Sequence, residues 1–262
     1  MNLSQLSLAE LERHFRAVTE EATLERLTLA LRCDSRVGAR SLAARWARRL
    51  ARGRAERLRV AQLFALRGSL LRRGVRVVAG VDEVGVGPLA GPVVAAAVVL
   101  PERVELPGLR DSKRLSRTAR DRLEAAIQQQ AQAIAIGSVE PVEIDRLNIY
   151  RAALEAMRRA VKALATPPDH LLVDARTVPG VAAPQTAIVR GDDLDGSIAA
   201  ASIVAKVHRD SIMDRLDAIY PGYGFGRHMG YGTPQHLAAL QRLGPSPVHR
   251  RSFAPVAAFL PA

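Results

Sequence analysis

Cysteine, lysine and long apolar runs are nearly absent from this 262-residue chain. A single cysteine, Cys33, has no partner for an intramolecular disulfide and no CxxC pair for zinc, so a reducing, cytoplasmic compartment is expected. The longest apolar run, Val93 to Leu100, is far short of the ~20 residues a membrane span needs. The opening MNLSQLSLAE has no basic segment ahead of an apolar core, so neither export nor anchoring is expected. Lysine occurs only at Lys113, Lys162 and Lys206, and residues 26–78 hold just two acids, Asp34 and Glu56, against 15 arginines. A solvated helical face normally mixes its signs, so this imbalance suggests a polyanionic partner.

What is present sharpens that reading. Lys and Arg number 38 against 26 acids, a net +12, and the excess is uneven: residues 1–78 carry 17 Arg and 7 acids, leaving +2 for the remainder. A hydrophobic share of 48% and a charged share of 24% are ordinary for a globular chain. At ~100–200 residues per domain, one full domain plus a smaller module is expected. We divide the chain into a basic helical extension, residues 1–74, and a second domain, residues 75–262.

Leu6, Leu8, Leu11, Phe15, Val18, Leu24 and Leu27 recur at helical spacing. A second such pattern runs through Leu42, Trp46, Leu50, Leu58, Leu63, Phe64, Leu66 and Leu70. Two or three amphipathic helices are expected there, with Gly53 a weak point. From Gly74 the texture changes. Val75–Val81, Val93–Leu100, Ala133–Val139, His170–Asp174 and Thr186–Arg190 read as strands. Ser116–Gln130, Pro141–Leu164, Ser197–Tyr220 and Pro234–Leu243 read as helices. Strands in a meander that later alternate with helices imply a mixed-sheet α/β domain. The apolar C-terminus, FAPVAAFLPA, is expected to pack on that domain.

The segment GVDEVGVGPLAGP, Gly80 to Pro92, carries the most chemistry. A valine strand that ends in Asp82 and Glu83 places two acids at a sheet edge, although alternate residues share one pocket only where the strand ends or twists. Gly85 and Gly87 then let backbone approach a ligand closely. Asp174 ends a second short strand, and Asp192, Asp193 and Asp195 precede the small-residue helix SIAAASIVAKV, where capping alone accounts for most of them. Carboxylates at Asp82, Glu83, Asp174 and Asp192, with no Cys or His at zinc spacing, describe an all-oxygen site suited to Mg²⁺ or Mn²⁺.

GVDEVGVGPLAGPVVAAAVVL resembles the opening of bacterial ribonuclease HII. The likeness continues in order through LRDSKRLS, EIDRLNIY, LLVDA, RGDDLDGSIAAASIVAKVHRD, YPGYGFGRHMGYGT and GPSPVHRRSFAPV, spanning residues 75–256. The resemblance implies a ribonuclease H-like fold: a mixed five-stranded sheet flanked by helices, with a C-terminal helical segment. It implies catalytic, metal-holding carboxylates at Asp82, Glu83, Asp174 and Asp192, the last chosen over Asp193 because it follows the glycine of Arg190-Gly191-Asp192. These would hold two divalent cations, Mn²⁺ or Mg²⁺, for hydrolysis leaving a 5′-phosphate and a 3′-hydroxyl.

The 2′-hydroxyl must tell RNA from DNA, and the resemblance assigns that sensing to Gly85, Val86 and Gly87 with Tyr231. Ser112, Lys113 and Lys206 are candidate phosphate or metal-site neighbours, while His228, His236 and His249 are read as hydrogen-bonding within loops. Two positions depart from the family pattern: Val86 and Met229 stand where it carries basic residues.

The implied function is an endoribonuclease acting on the RNA strand of RNA–DNA hybrids and at ribonucleotides embedded in duplex DNA, serving ribonucleotide removal and primer RNA degradation. The alternative is a non-catalytic hybrid binder with weakened activity. A monomer without membrane association is expected, and residues 1–74 are expected to grip the duplex.

Overall fold

The computed structural model describes residues 3–260. They fall into two compact units, Met1–Ala61 and Gln62–Ala262.

In the first unit a short 3₁₀ turn, Leu3–Gln5, leads into α1 (Leu8–Ala17), α2 (Glu21–Arg32) and α3 (Val37–Leu63), the last running on into the second unit. Ser7 starts α1 with a capping box: its Oγ accepts from the Glu10 N–H (3.3 Å), and the Glu10 carboxylate accepts from the Ser7 N–H (2.8 Å). Leu11, Phe15, Leu24, Leu31, Leu42 and Trp46 make the core, with the rings of Phe15 and Trp46 stacked at 5.2 Å. The few acids are consumed locally: Glu12 pairs with Arg16 and Arg45, and Glu21 with Arg54 and Arg57. Gly53 does not interrupt α3, which runs as one helix of 27 residues.

The second unit begins within the extension drawn from sequence. Helix α4 (Ala65–Arg72) belongs to it, and buried Arg67 donates to the carbonyls of Leu100 and Pro101 at 2.6 Å each. Strands β1 (Val78–Val84), β2 (Val93–Val99), β3 (Ala133–Val139), β4 (His170–Asp174) and β5 (Gln185–Ile188) form one sheet in the order β3-β2-β1-β4-β5. β1, β2 and β3 are a meander of antiparallel neighbours, whereas β4 and β5 join it parallel. This is the expected mixed five-stranded sheet, entered three residues later than read from sequence. The Asp169 carboxylate takes the N–H groups of Arg76 and Val77 (3.0 Å each) before the ladder begins at Val78.

Helices cover both faces. α5 is Arg117–Gln130, capped by Ser116; α6 is Pro141–Leu147 and α7 is Ile149–Lys162. The continuous pattern 141–164 is thus two helices, broken at Asn148, whose backbone leaves the helical region (φ 70°, ψ 161°) and whose Oδ1 caps α7 by accepting from the Arg151 N–H (3.0 Å). α8 (Gly191–Leu194) precedes the long α9 (Gly196–Ile219), and α10 (Phe225–His228), α11 (Pro234–Leu243) and α12 (Ala254–Ala257) complete the C-terminal segment. Val256 packs fully buried there, while Pro261 and Ala262 of the apolar tail lie outside the described residues.

The period of two along β2 sorts its residues: Val93, Ala95, Ala97 and Val99 join the core beneath α7, and Val94, Ala96 and Val98 the core beneath α9. On β1, a Cβ at Gly80 would lie 2.1 Å from the Ser197 carbonyl, so only glycine lets the start of α9 rest on the strand's backbone. That contact brings α9 against the end of β1, where the acids are.

Candidate active site

β1 and β4 run parallel with Val81 paired to Val173, so Asp82 and Asp174, one residue on, end side by side at the same edge of the sheet. Glu83 is still paired to Ala95 within β1, and its N–H donates to Asp82 Oδ1 (2.8 Å). Carboxylate oxygens of Asp82, Glu83 and Asp174 come within 4.8 Å of one another. Burial and the charges of Glu83 and Asp174 push the Asp82 carboxyl well above the carboxylate range. Burial likewise raises Glu83 and Asp174, against partial relief from Arg176 for Glu83 and from the Gly191 N–H (2.6 Å) for Asp174.

The three acids ahead of α9 have separate partners. Asp195 caps the helix, accepting from the Ser197 and Ile198 N–H groups at 2.8 and 3.1 Å. Asp193 pairs with Arg190 at 2.9 Å and faces Arg114 at 3.5 Å. Asp192 is buried, its charge acts on both Asp82 and Asp174, and its Oδ2 accepts from Lys113 Nζ at 3.1 Å. It stands beside the group of three without being one of them. Ser112 reaches the cluster indirectly. Its Oγ lies 3.0 Å from Ser202 Oγ, and the Ser202 hydroxyl favours the charged form of Asp82.

The glycine loop is held by two buried arginines that point at carbonyls. Arg250 donates to Gly85 (2.6 Å), Val86 (3.0 Å) and Gly91 (2.8 and 3.0 Å). Arg209 donates to Ala90 (3.1 Å), Pro92 (2.9 Å) and Met229 (3.0 Å). Burial draws Arg209 down to about 10; burial and the neighbouring Arg209 draw Arg250 down to about 9. Gly85 sits at φ 89°, and a Cβ there would lie 2.2 Å from Arg209 Nε. The ring of exposed Tyr231 lies alongside Gly87, 3.6 Å from where a Cβ would stand.

Behind Tyr231 the histidines form a chain whose tautomers follow from their backbone partners. The Ser246 N–H donates to His249 Nδ1 (2.9 Å), so His249 carries its proton on Nε2 and gives it to His236 Nε2 (3.0 Å). His236 Nδ1–H then donates to the Tyr231 carbonyl (2.9 Å). His228 accepts from the Gly230 N–H and donates to the Tyr223 carbonyl. All three histidines are buried and bonded within loops, as read from sequence.

The Ribonuclease HII family model matches residues 79–256. This chain belongs to the ribonuclease HII family. It is 54% identical over 226 residues to the ribonuclease HII of Geobacillus thermodenitrificans, covering 86% of this chain and 87% of that one. It is 52% identical over 256 residues to the ribonuclease HII of Myxococcus xanthus, covering 97% and 87%, an alignment long enough to take in the N-terminal unit. The crystal structure of ribonuclease H2 from Pyrococcus horikoshii superposes with a TM-score of 0.59 at 26% identity, over 70% of this chain and 97% of that one.

At Val86 and Met229 the two arginines hold the backbone carbonyl, so the loop's scaffold does not depend on either side chain. Val86 packs toward the α7 core, and Met229, left-handed at φ 52°, packs beneath the C-terminal helices. Lys206 does not reach the carboxylates but pairs with Asp210 at 2.6 Å, one turn along α9. Sequence reasoning missed Ser202, Arg209, Arg250 and Arg176, whose Nη1 lies 3.6 Å from Glu83 Oε1.

The donor set suits hard divalent cations. Its oxygens are convergent and mutually repulsive, and Glu83 Oε2 is buried with no hydrogen-bond partner among the described residues. A cation there supplies the missing partner and offsets the repulsion that raises Asp82.

Proposed function

We propose that this ribonuclease HII is a metal-dependent endonuclease that hydrolyses the RNA strand of RNA–DNA hybrids. It also incises on the 5′ side of ribonucleotides embedded in duplex DNA, leaving 5′-phosphate and 3′-hydroxyl ends. The observation that carries the reading is the convergence of Asp82, Glu83 and Asp174 at the ends of β1 and β4, with Asp192 alongside, in a chain of this family. Asp82, Glu83, Asp174 and Asp192 would hold two Mn²⁺ or Mg²⁺ ions. When bound, such ions activate the attacking water and stabilise the leaving 3′-oxygen.

The chain's own residues do the rest. Ser202, backed by Ser112, favours the ionised form of Asp82 against burial and the neighbouring acids, the form that a cation needs. Lys113 holds Asp192 and offers the remaining Nζ donors to a phosphate. Gly85 and Gly87 present backbone to the ribose where a Cβ would intrude. Tyr231, flat against Gly87, meets the sugar and senses its 2′-hydroxyl. Lys206, paired to Asp210, lends positive charge farther along the bound strand.

The N-terminal unit we assign to gripping the duplex. Glu12, Glu21, Glu25, Asp34 and Glu56 are already paired to arginines, whereas Arg48, Arg49 and Arg52 lie exposed along α3. We place the enzyme in the cytoplasm as a monomer; no helix among the described residues is long and apolar enough to cross a membrane.

The test is incubation with Mn²⁺ or Mg²⁺ and duplexes carrying one, four or only ribonucleotides in one strand. Cleavage confined to ribonucleotide positions and abolished by Asp82→Asn is expected. Intact duplexes, or equal cleavage of an all-DNA control, would remove the reading.

A further inference from the structure

Arg176 is the remaining cation at the carboxylate cluster, and its geometry is unusual. β4 ends at Asp174, and Ala175 then adopts a left-handed conformation (φ 51°) while its N–H bonds to the Ile188 carbonyl at 2.9 Å. A non-glycine residue is seldom held there without a reason in the surroundings. The turn carries the Arg176 guanidinium over the exposed ring of Tyr150, 5.1 Å from its centroid, and to 3.6 Å from Glu83 Oε1.

That distance is too long for a hydrogen bond. Arg176 Nη1 and Glu83 Oε2 are each buried with no hydrogen-bond partner among the described residues. An arginine serving only to neutralise Glu83 would close into a two-pronged fork on the carboxylate, the favoured geometry for such pairs. Here the aromatic ring carries the guanidinium and its donors stay unspent.

The distribution of charge says what they are for. Lys113 flanks the acids at Asp192 and Arg176 flanks them at Glu83, so the carboxylates lie between two cations. We propose that Arg176 is a substrate-binding residue, donating to a phosphodiester oxygen of the ribonucleotide-containing strand at the Glu83 end of the cluster. The assignment rests on the ribonuclease reading above. Once divalent cations occupy the carboxylate oxygens, the charge facing Arg176 is neutralised; Nη1 stays turned in toward Glu83, and the other guanidinium N–H groups of this part-exposed side chain meet the incoming phosphate.

The test uses the full chain, wild type against Arg176→Ala and Arg176→Lys, with Mn²⁺ and a DNA duplex containing one ribonucleotide. It measures kcat/KM across a salt series and Mn²⁺ affinity by titration calorimetry. Arg176→Gln replaces Arg176→Ala if the latter does not fold. Removing one phosphate contact should flatten the slope of log kcat/KM against log salt by about 0.9 and lower kcat/KM about tenfold at low salt, chiefly through KM. Arg176→Lys should keep the slope, and loss of the cation should tighten Mn²⁺ binding. An unchanged slope in the neutral variant would overturn the proposal; weakened Mn²⁺ binding beside it would show Arg176 to be a prop for Glu83. If the wild type leaves the duplex intact, it is the ribonuclease reading that falls instead.

Discussion

Asp82 on β1 and Asp174 at the end of β4 each lie one residue beyond the Val81–Val173 pair of two parallel neighbouring strands, so their carboxyl groups are forced together by the sheet itself. The folded protein therefore carries a repulsion that a divalent cation relieves. Asp82→Asn should lower cleavage by about 1,000-fold or more. The folded-state pKa of Asp82 lies above its unfolded value, so the metal-free protein loses stability as pH rises between the two. The same variant should thus raise the metal-free Tm at neutral pH by about 3 °C, on the order of 1 kcal/mol. Calorimetry without metal checks this, and an unchanged or lower Tm would contradict it.

Ser202→Ala removes the hydroxyl that favours the charged form of Asp82 and leaves Ser112 Oγ without it. Mn²⁺ affinity should fall about 10- to 100-fold, as for other residues that orient a metal ligand. Ser112→Ala should cost less, because it acts through Ser202. Titration of both variants with Mn²⁺ gives the order; equal losses would argue against the relay.

These two serines show where sequence reading stops. Asp82, Glu83 and Asp174 were legible because charge at the end of a valine run has no structural use. The residues alone show Asp192 as one of three acids before a helix, and only the resemblance, through the glycine ahead of it, singles it out; its bond to Lys113 is what separates it from Asp193 and Asp195 in the structure. Ser202 hides in a run of small residues whose other members merely pack. Arg209 and Arg250 hide because arginine is common throughout this chain, and no composition signal marks two that are buried with carbonyls as partners. The strands were placed well where valine and alanine alternate between two cores. The break at Asn148 was not, because apolar spacing continues across it.

Gly85→Ala should destabilise the protein by about 2–4 kcal/mol, since its Cβ meets Arg209 Nε and the backbone stays left-handed. Arg250→Met should cost about 3 kcal/mol or more by leaving the carbonyls of Gly85, Val86 and Gly91 unpaired. Urea unfolding measures both, and losses below about 0.5 kcal/mol, the size of an ordinary surface change, would show the loop is not held as described.

The histidine chain predicts acid sensitivity. Burial, with the neighbouring His236, lowers His249 to about 4, from the model-peptide 6.5. The unfolded state then binds more protons between those values, and stability falls as pH drops through that window. Wild type should lose about 3 kcal/mol more than His249→Gln between pH 6.5 and 4, a difference that cancels the opposing carboxylates. Parallel pH profiles for the two proteins would contradict the neutral chain.

Full-length protein with Arg48, Arg49 and Arg52 all changed to Gln should bind hybrid more weakly, and the salt slope of its Kd should flatten by about 0.9 for each lost phosphate contact. An unchanged slope would remove the N-terminal unit from the duplex.

The most direct test of the account is the fate of a labelled DNA duplex bearing one ribonucleotide, incubated with Mn²⁺ and mapped at single-nucleotide resolution. The account predicts a single cut on the 5′ side of the ribonucleotide, a 3′-hydroxyl on the upstream fragment, and no cut in the all-DNA duplex or with Asp82→Asn. A cut elsewhere, a 2′,3′-cyclic phosphate end, or Asp82→Asn activity within about 100-fold of wild type would contradict it.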